Sequence, residues 1–272
     1  MTTADDFRRL HAEGVLVLPN AWDAASARLV ERAGAAAVAT TSGAVAWSLG
    51  VPDGDRLPLE LLAGAVERIA AAVAVPVTAD VESGGPDVAA TVRAVLDAGA
   101  VGINIEDGGG AVEPHRDRVA AASEAGGRDL FVNARIDLYL FGIGEPDGRL
   151  AETIARAGVY AEAGADGIFV PGVTDLDVLR RLVAEIPRRS TCWPGRGRPR
   201  WTSSPRSGCA GSASAPAWPR RPTRRPTGPP ASCSPPGPTR PSPAASTTAT
   251  CRNCSTSAVS RDRPGRRPSR PG

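Results

Sequence analysis

The chain of 272 residues contains no lysine, so every basic residue apart from His11 and His115 is an arginine. It also contains no cysteine before residue 192; all five, at 192, 209, 233, 251 and 254, fall in the C-terminal third. No apolar run reaches 18 residues, which excludes a helical membrane span. The opening stretch, MTTADDFRRLHAEG, has no basic start followed by an apolar core, so no secretory signal is expected. Together with the cysteine-free first part, this points to the cytoplasm. No G-x-G-x-x-G opens the first helix, which argues against a dinucleotide fold. The two histidines lack metal-site spacing, which argues against zinc. Arg, Ala, Gly and Pro are amino acids of GC-rich codons, and a GC-rich bacterial genome accounts for their abundance.

Acidic residues are nearly missing from one part of the chain. Residues 188–272 carry 17 of the 32 basic residues and a single acidic one, Asp262; residues 1–187 carry the other 15 basic and 28 acidic residues. The overall net charge of +3 therefore joins a segment of −13 to one of +16. Opposite charge blocks of this kind usually mean a folded domain and a tail. The change falls within EIPRRSTCWPGRGRPRW (185–201), where Ala, Val and Gly give way to Arg, Pro, Ser and Thr.

In 1–187, short β-branched runs alternate with Ala-rich stretches. Strands are expected at 15–18, 37–40, 75–80, 101–106, 130–135 and 167–170. Helices are expected at 23–33, 58–73, 86–98 and 150–163, among others. The phrases RAGA, DAGA and EAGA recur before strands. In each the glycine ends a helix in a left-handed conformation and the chain turns into a buried parallel strand. The alternation implies a parallel sheet covered by helices. Six such units make up most of an eight-fold (β/α)₈ TIM-type barrel, with a doubly wound sheet as the rival.

Either architecture gathers ligands at the C-terminal strand ends. The polar residues there are Asn20, Trp22 and Asp23; Thr41, Ser42 and Gly43; Asp80, Glu82 and Ser83; Glu106 and Asp107; and Asn133, Arg135 and Asp137. Asp23 and Asp137 are expected to act as helix N-caps. Asp80, Glu82 and Glu106, on adjacent strands, are too many acids for one rim sector unless a hard cation offsets their repulsion, so Mg²⁺ is implied. Arg135, on the next strand, suits bidentate binding of a substrate carboxylate.

Five stretches carry a resemblance: LPNAWDAASARLVERAGAAAVATTSG, LGVPDGD, VTADVESGG, INIEDG and VNARID. In this order and spacing they resemble the isocitrate lyase / phosphoenolpyruvate mutase superfamily, across residues 7–187. The resemblance implies a (β/α)₈ barrel that binds Mg²⁺ and a small 2-oxo or 2-hydroxy acid. It implies cleavage or formation of a C–C or P–C bond through an enolate of pyruvate type. Asp80 then resembles the direct metal ligand, and Glu82 and Glu106 the water-mediated ones. Arg135 resembles the substrate-binding arginine and, with Asp53, is expected to be catalytic; Asn133 and Trp22, as polar residues at strand ends, are expected to be further substrate contacts. Ser42, Gly43 and Ala44 resemble the backbone cradle of the pyruvyl carboxylate, and Asp53 the gating-loop aspartate. The lyases carry a K-[KR]-C-G-H-type loop after the position of Glu106, and the mutases a lysine there. This chain reads DGGGAVEPHRDRV, with neither Cys nor Lys. His115 and Arg116 are the replacements available for acid–base work, set against a plainer reading of both as solvated loop residues.

Residues 188–272 lack apolar periodicity and are rich in proline, which reads as a disordered tail following a barrel truncated to about six units. Its arginines, with Trp193, Trp201 and Trp218 among them, offer a nucleic-acid-binding alternative. Cys251 and Cys254 have no second pair for zinc. Shifted two nucleotides forward, however, codons 191–197 are compatible with VLAGPG, 208–219 with VRRVSVGTGLA and 249–258 with DLPELLDLG. These are two barrel strands and a helix end, in the order the resemblance requires. A frameshift near codons 187–191 is therefore expected, with an inactive product as one consequence and a family-like homo-oligomer only in the restored frame.

Overall fold

The computed structural model describes residues 2–192 and the backbone of 193 and 210–213. The chain divides into two units, Met1–Pro219 and Arg220–Gly272, and everything described lies in the first.

Eight parallel strands pair in chain order and close into a barrel. They are β1 (Val17–Ala21), β2 (Val38–Thr40), β3 (Val77–Asp80), β4 (Gly102–Glu106), β5 (Phe131–Arg135), β6 (Gly167–Pro171), β7 (Arg189–Trp193) and β8 (Ala210–Ala213). The helices are α1 (Ala4–Ala12), α2 (Ala24–Arg32), α3 (Ser42–Ser48), α4 (Leu59–Ala72), α5 (Val88–Asp97), α6 (Val112–Gly126), α7 (Leu138–Phe141), α8 (Pro146–Glu162) and α9 (Leu176–Glu185). The first six strands fall where the β-branched runs lie. Gly34, Gly99 and Gly164, of the three recurring phrases, have φ of 93°, 92° and 106°, a conformation in which a Cβ is strained. The N-cap expectation holds for Asp23, whose carboxylate accepts from the Ser26 N–H at 2.7 Å.

The strand count corrects the expectation of about six units ending at 187. β7 runs beside β6 over five residue pairs, Gly167↔Arg189 to Pro171↔Trp193, and β8 joins β7 to β1. Composition averaged over a long Pro-rich stretch hid a five-residue run, RSTCW, free of Pro and Gly. A parallel strand is held chiefly by backbone pairing, and Thr191 and Cys192 are apolar enough to be buried in it. The rest of the expected disordered tail lies outside the described residues, as do the C-x-x-C and the arginine and tryptophan positions offered for nucleic acid after Trp193.

Helix α1 closes the N-terminal end of the barrel. Its Thr3–Asp6 capping box fixes the start, and Phe7 packs edge-on against Phe131 at 5.2 Å. His11 stacks on the same ring at 4.4 Å, and its Nδ1 lies 2.9 Å from the Phe7 carbonyl. Arg8 bonds Asp166 and the carbonyls of Arg128 and Leu130. Among the described residues, α1 covers this end, which leaves the opposite rim as the candidate ligand face.

Candidate active site at the carboxyl ends of the strands

β2 ends at Thr40, and α3 begins two residues later at Ser42. That tight corner aims the Ser42 N–H and hydroxyl at β3, where both donate to Asp80 Oδ2 at 3.0 Å. Asp80 is further held by its own N–H, which donates to the Thr40 hydroxyl at 2.8 Å. Among the described residues, its other oxygen, Oδ1, accepts only the long Glu82 N–H bond of 3.4 Å. Gly43 lies against the loop carboxylate of Asp53: a Cβ there would stand 2.9 Å from Asp53 Oδ2, so a larger residue would push that carboxylate away. Ser42, Gly43, Asp53 and Asp80 thus come together. Ala44 is half-buried on α3.

Glu82 is buried and accepts the Asp55 N–H. Burial pushes its carboxyl above the usual range, with the nearby Asp55, Asp53 and Asp80 charges adding to the effect and the Asp55 N–H opposing it. Burial likewise pushes Glu106 up to about 8; the Arg135 guanidinium opposes this, while Asp80, Asp137 and Glu82 reinforce it. Arg135 pairs with Glu106 through Nη1 at 2.7 Å and with Asp137 through Nε at 2.6 Å, its guanidinium carbon 5.9 Å from the Phe169 ring centroid. A cleft of about 390 Å³ opens beside these groups, lined by Ser42, Asp80, Glu82, Asp55 and Arg56. Glu106 and Arg135 do not line it; they are closed against each other.

Asn133 sits two residues below Arg135 on β5, inside the barrel, donating to Asn104 Oδ1 at 2.7 Å. Trp22 is half-buried after β1, its N–H donating to the Ser26 hydroxyl. Neither lines the cleft. Asp137 departs from the capping expectation. It stands at the N-cap position of the four-residue α7 but makes no cap bond, and its buried carboxylate serves Arg135 instead. His115 departs from the solvated-loop reading. It is buried on α6 with its ring edge-on to Tyr160 at 4.6 Å, whereas Arg116 is exposed and pairs with Asp117.

Asp107 takes a part that no spacing announced. Its fully buried carboxylate accepts from the Gly109 and Asp137 N–H groups at 2.8 and 3.0 Å through Oδ1. Oδ2 accepts from Arg156 and the Tyr160 hydroxyl, both on α8, at 2.9 and 3.2 Å. It thereby ties the β4 and β5 ends to α8 and braces Asp137 behind Arg135. Its partners on α8 lie some fifty residues downstream, and the only hint was an acid directly after Glu106.

Among the described residues, no three His, Cys, Asp or Glu side chains converge as a metal cage. That donor set still fits Mg²⁺, which keeps several waters and takes one or two carboxylates directly. Asp80, with one oxygen anchored by Ser42 and the other barely engaged, suits direct ligation.

A family model described as phosphoenolpyruvate phosphomutase matches residues 7–207. An uncharacterised protein of Mycobacterium tuberculosis is 40% identical over 193 residues, 66% of this chain and 70% of that one. The 2-methylisocitrate lyase of Salmonella typhimurium is 33% identical over 193 residues, 65% of each. Among solved structures, one from Burkholderia cenocepacia with a provisional phosphonomutase label superposes with a TM-score of 0.70 at 39% identity, over 78% of this chain and 92% of that one. A phosphonopyruvate hydrolase solved with oxalate and Mg²⁺ gives 0.63 at 26% identity, over 71% and 72%.

Proposed function

The chain belongs to the phosphoenolpyruvate phosphomutase family, within the isocitrate lyase / phosphoenolpyruvate mutase superfamily of lyases and mutases, and on that premise we propose that it is a Mg²⁺-dependent enzyme acting on a small 2-oxo or 2-hydroxy acid through an enolate of pyruvate type. The observation that carries this reading is the rim sector in which Ser42 and Gly43 meet Asp80 and Asp53 beside the Glu106–Arg135 pair. Asp80 would hold Mg²⁺ directly, with Glu82 and Glu106 reaching it through water. When bound, the ion stabilises negative charge developing on the enolate oxygen.

The chain's own residues do the rest. Arg135, whose Nε and Nη1 are engaged by Asp137 and Glu106, takes the substrate carboxylate by exchanging Glu106 for it. The N–H groups at the start of α3, around Ser42, Gly43 and Ala44, cradle the pyruvyl end. Asp53, on its loop against Gly43, acts as the gating carboxylate. His115, buried against Tyr160, is too enclosed to serve as the missing acid–base group. Residues 1–187 free of cysteine, and the absence among the described residues of any helix long and apolar enough to cross a membrane, support a cytoplasmic setting.

The test is a panel of 2-oxo and 2-hydroxy acids, scored for release or consumption of pyruvate, oxaloacetate or glyoxylate. Turnover with Mg²⁺ that stops with EDTA is expected. No metal-dependent turnover across the panel, in a chain with its frame restored, would overturn the reading.

A further inference from the structure

Two non-glycine residues have left-handed backbone among the described residues, Asp55 at φ 55° and Glu82 at φ 52°, and they touch. Asp tolerates this conformation better than most residues; for Glu it is held only where the surroundings over-determine it. Here they do. The Asp55 N–H donates to the Glu82 carboxylate, while Asp55 Oδ1 accepts from the Ser83 hydroxyl at 2.9 Å and the Ser83 N–H at 3.3 Å. Behind Ser83, Arg118 of α6 donates from Nη1 to the Ser83 carbonyl at 2.8 Å and the Gly85 carbonyl at 3.0 Å. Of residues 52–57, among those described, Asp55 alone hydrogen-bonds the strand ends. Its neighbours on the loop are Asp53, packed on Gly43, and Arg56, on the cleft wall.

We propose that Asp55 is a positioning residue: it latches the loop of residues 50–58 onto the end of β3 by gripping Ser83 and orienting Glu82, and so holds Asp53 against Gly43 and Arg56 on the cleft wall. The latch is independent of the gating aspartate itself. Its kinetic consequence rests on the function proposed above; its conformational consequence does not.

The lack of lysine supplies the assay. Trypsin cuts this chain only after arginine, and Arg56 is the sole arginine between Arg32 and Arg68. Appearance of a new terminus at Arg56, followed by mass spectrometry, therefore reports opening of this loop. Cleavage after Arg93, exposed on α5, reports loosening of the barrel. Asp55→Ala, Asp55→Gly and Ser83→Ala should each raise cleavage at Arg56 about tenfold, the loss expected for a broken hydrogen-bonded contact, with Arg93 unchanged. Asp55→Asn, which keeps an acceptor for Ser83 and tolerates the backbone, should stay near wild type. Asp55→Gly, which relieves the strain, separates the carboxylate's grip from the backbone's cost. Where a turned-over acid is known, Asp55→Ala should raise KM more than it lowers kcat. If no substrate is found, the tryptic arm still decides. Wild-type cleavage at Arg56 in Asp55→Ala and Ser83→Ala would overturn the latch. So would Asp55→Asn being as labile as Asp55→Ala, or Arg56 and Arg93 rising together.

Discussion

Replacing Arg156 by methionine should cost the barrel about 3–5 kcal/mol, the usual cost of removing one partner of a buried pair. The structure gives the reason. The Asp107 side chain is wholly buried and that of Arg156 is 9% exposed, so neither charge has water to fall back on. Without Arg156, Asp107 Oδ2 keeps only the Tyr160 hydroxyl, a neutral donor, and the Gly110 carbonyl loses its 2.8 Å guanidinium bond. The lost Glu152 pair adds little, because Glu152 is half exposed. A net stability of about 5–15 kcal/mol would be cut by a large fraction. For a domain of this size, about 2–4 °C per kcal/mol turns the loss into a drop of roughly 6–20 °C in Tm. Thermal unfolding followed by circular dichroism measures it. Adding Asp107→Asn removes the stranded charge, so the double variant should be less destabilised than the sum of the singles. A melt within about 2 °C of wild type for Arg156→Met, or strict additivity in the double variant, would refute the reasoning.

Asp80→Asn should abolish Mg²⁺-dependent turnover, whereas Ser42→Ala, which leaves Asp80 its backbone donor, should lower it only in part; steady-state kinetics over a Mg²⁺ titration separates the two. His115 is pushed down to about 4, first by burial and then by the Arg118 and Arg156 charges, with Asp107 pulling the other way. A folded pKa below the unfolded value near 6.5 means that its contribution is complete above that value and is lost progressively as pH falls from there toward the folded value. His115→Leu should flatten that part of the stability–pH profile, and a profile parallel to wild type would count against it. Restoring the reading frame at codons 187–191 should raise the Tm and sharpen unfolding relative to the chain as given. Resequencing that stretch of DNA, and melting both forms side by side, tests it.

The first six strands were readable because β-branched runs and Gly-capped helix ends are local signals, and the rim acids followed from topology alone. Asp23 was read correctly as a cap for the same local reason. Asp137 was misread because a cap and an ion-pair partner look alike beside a strand end; only Arg135, two residues back, decides between them. Asp107 and Asp55 draw their roles from partners across the barrel, Arg156 and Tyr160 for one, Ser83 and Glu82 for the other, and no spacing encodes such meetings. β7 was missed because its five residues sit in a stretch whose average composition contradicts it. Strands β7 and β8 nonetheless fall where the shifted frame reads strand-like sequence, the proposal that frame restoration tests.

The pairing of β8 with β1 also has a consequence for the order in which the protein is made. Every candidate site residue, from Trp22 to Arg135, leaves the ribosome before the strand that closes the ring. The outer edge of β1 then stays open, a template for stray pairing, until Ala210–Ala213 emerge. A nascent chain stalled between those points would carry a formed rim on an unsealed barrel.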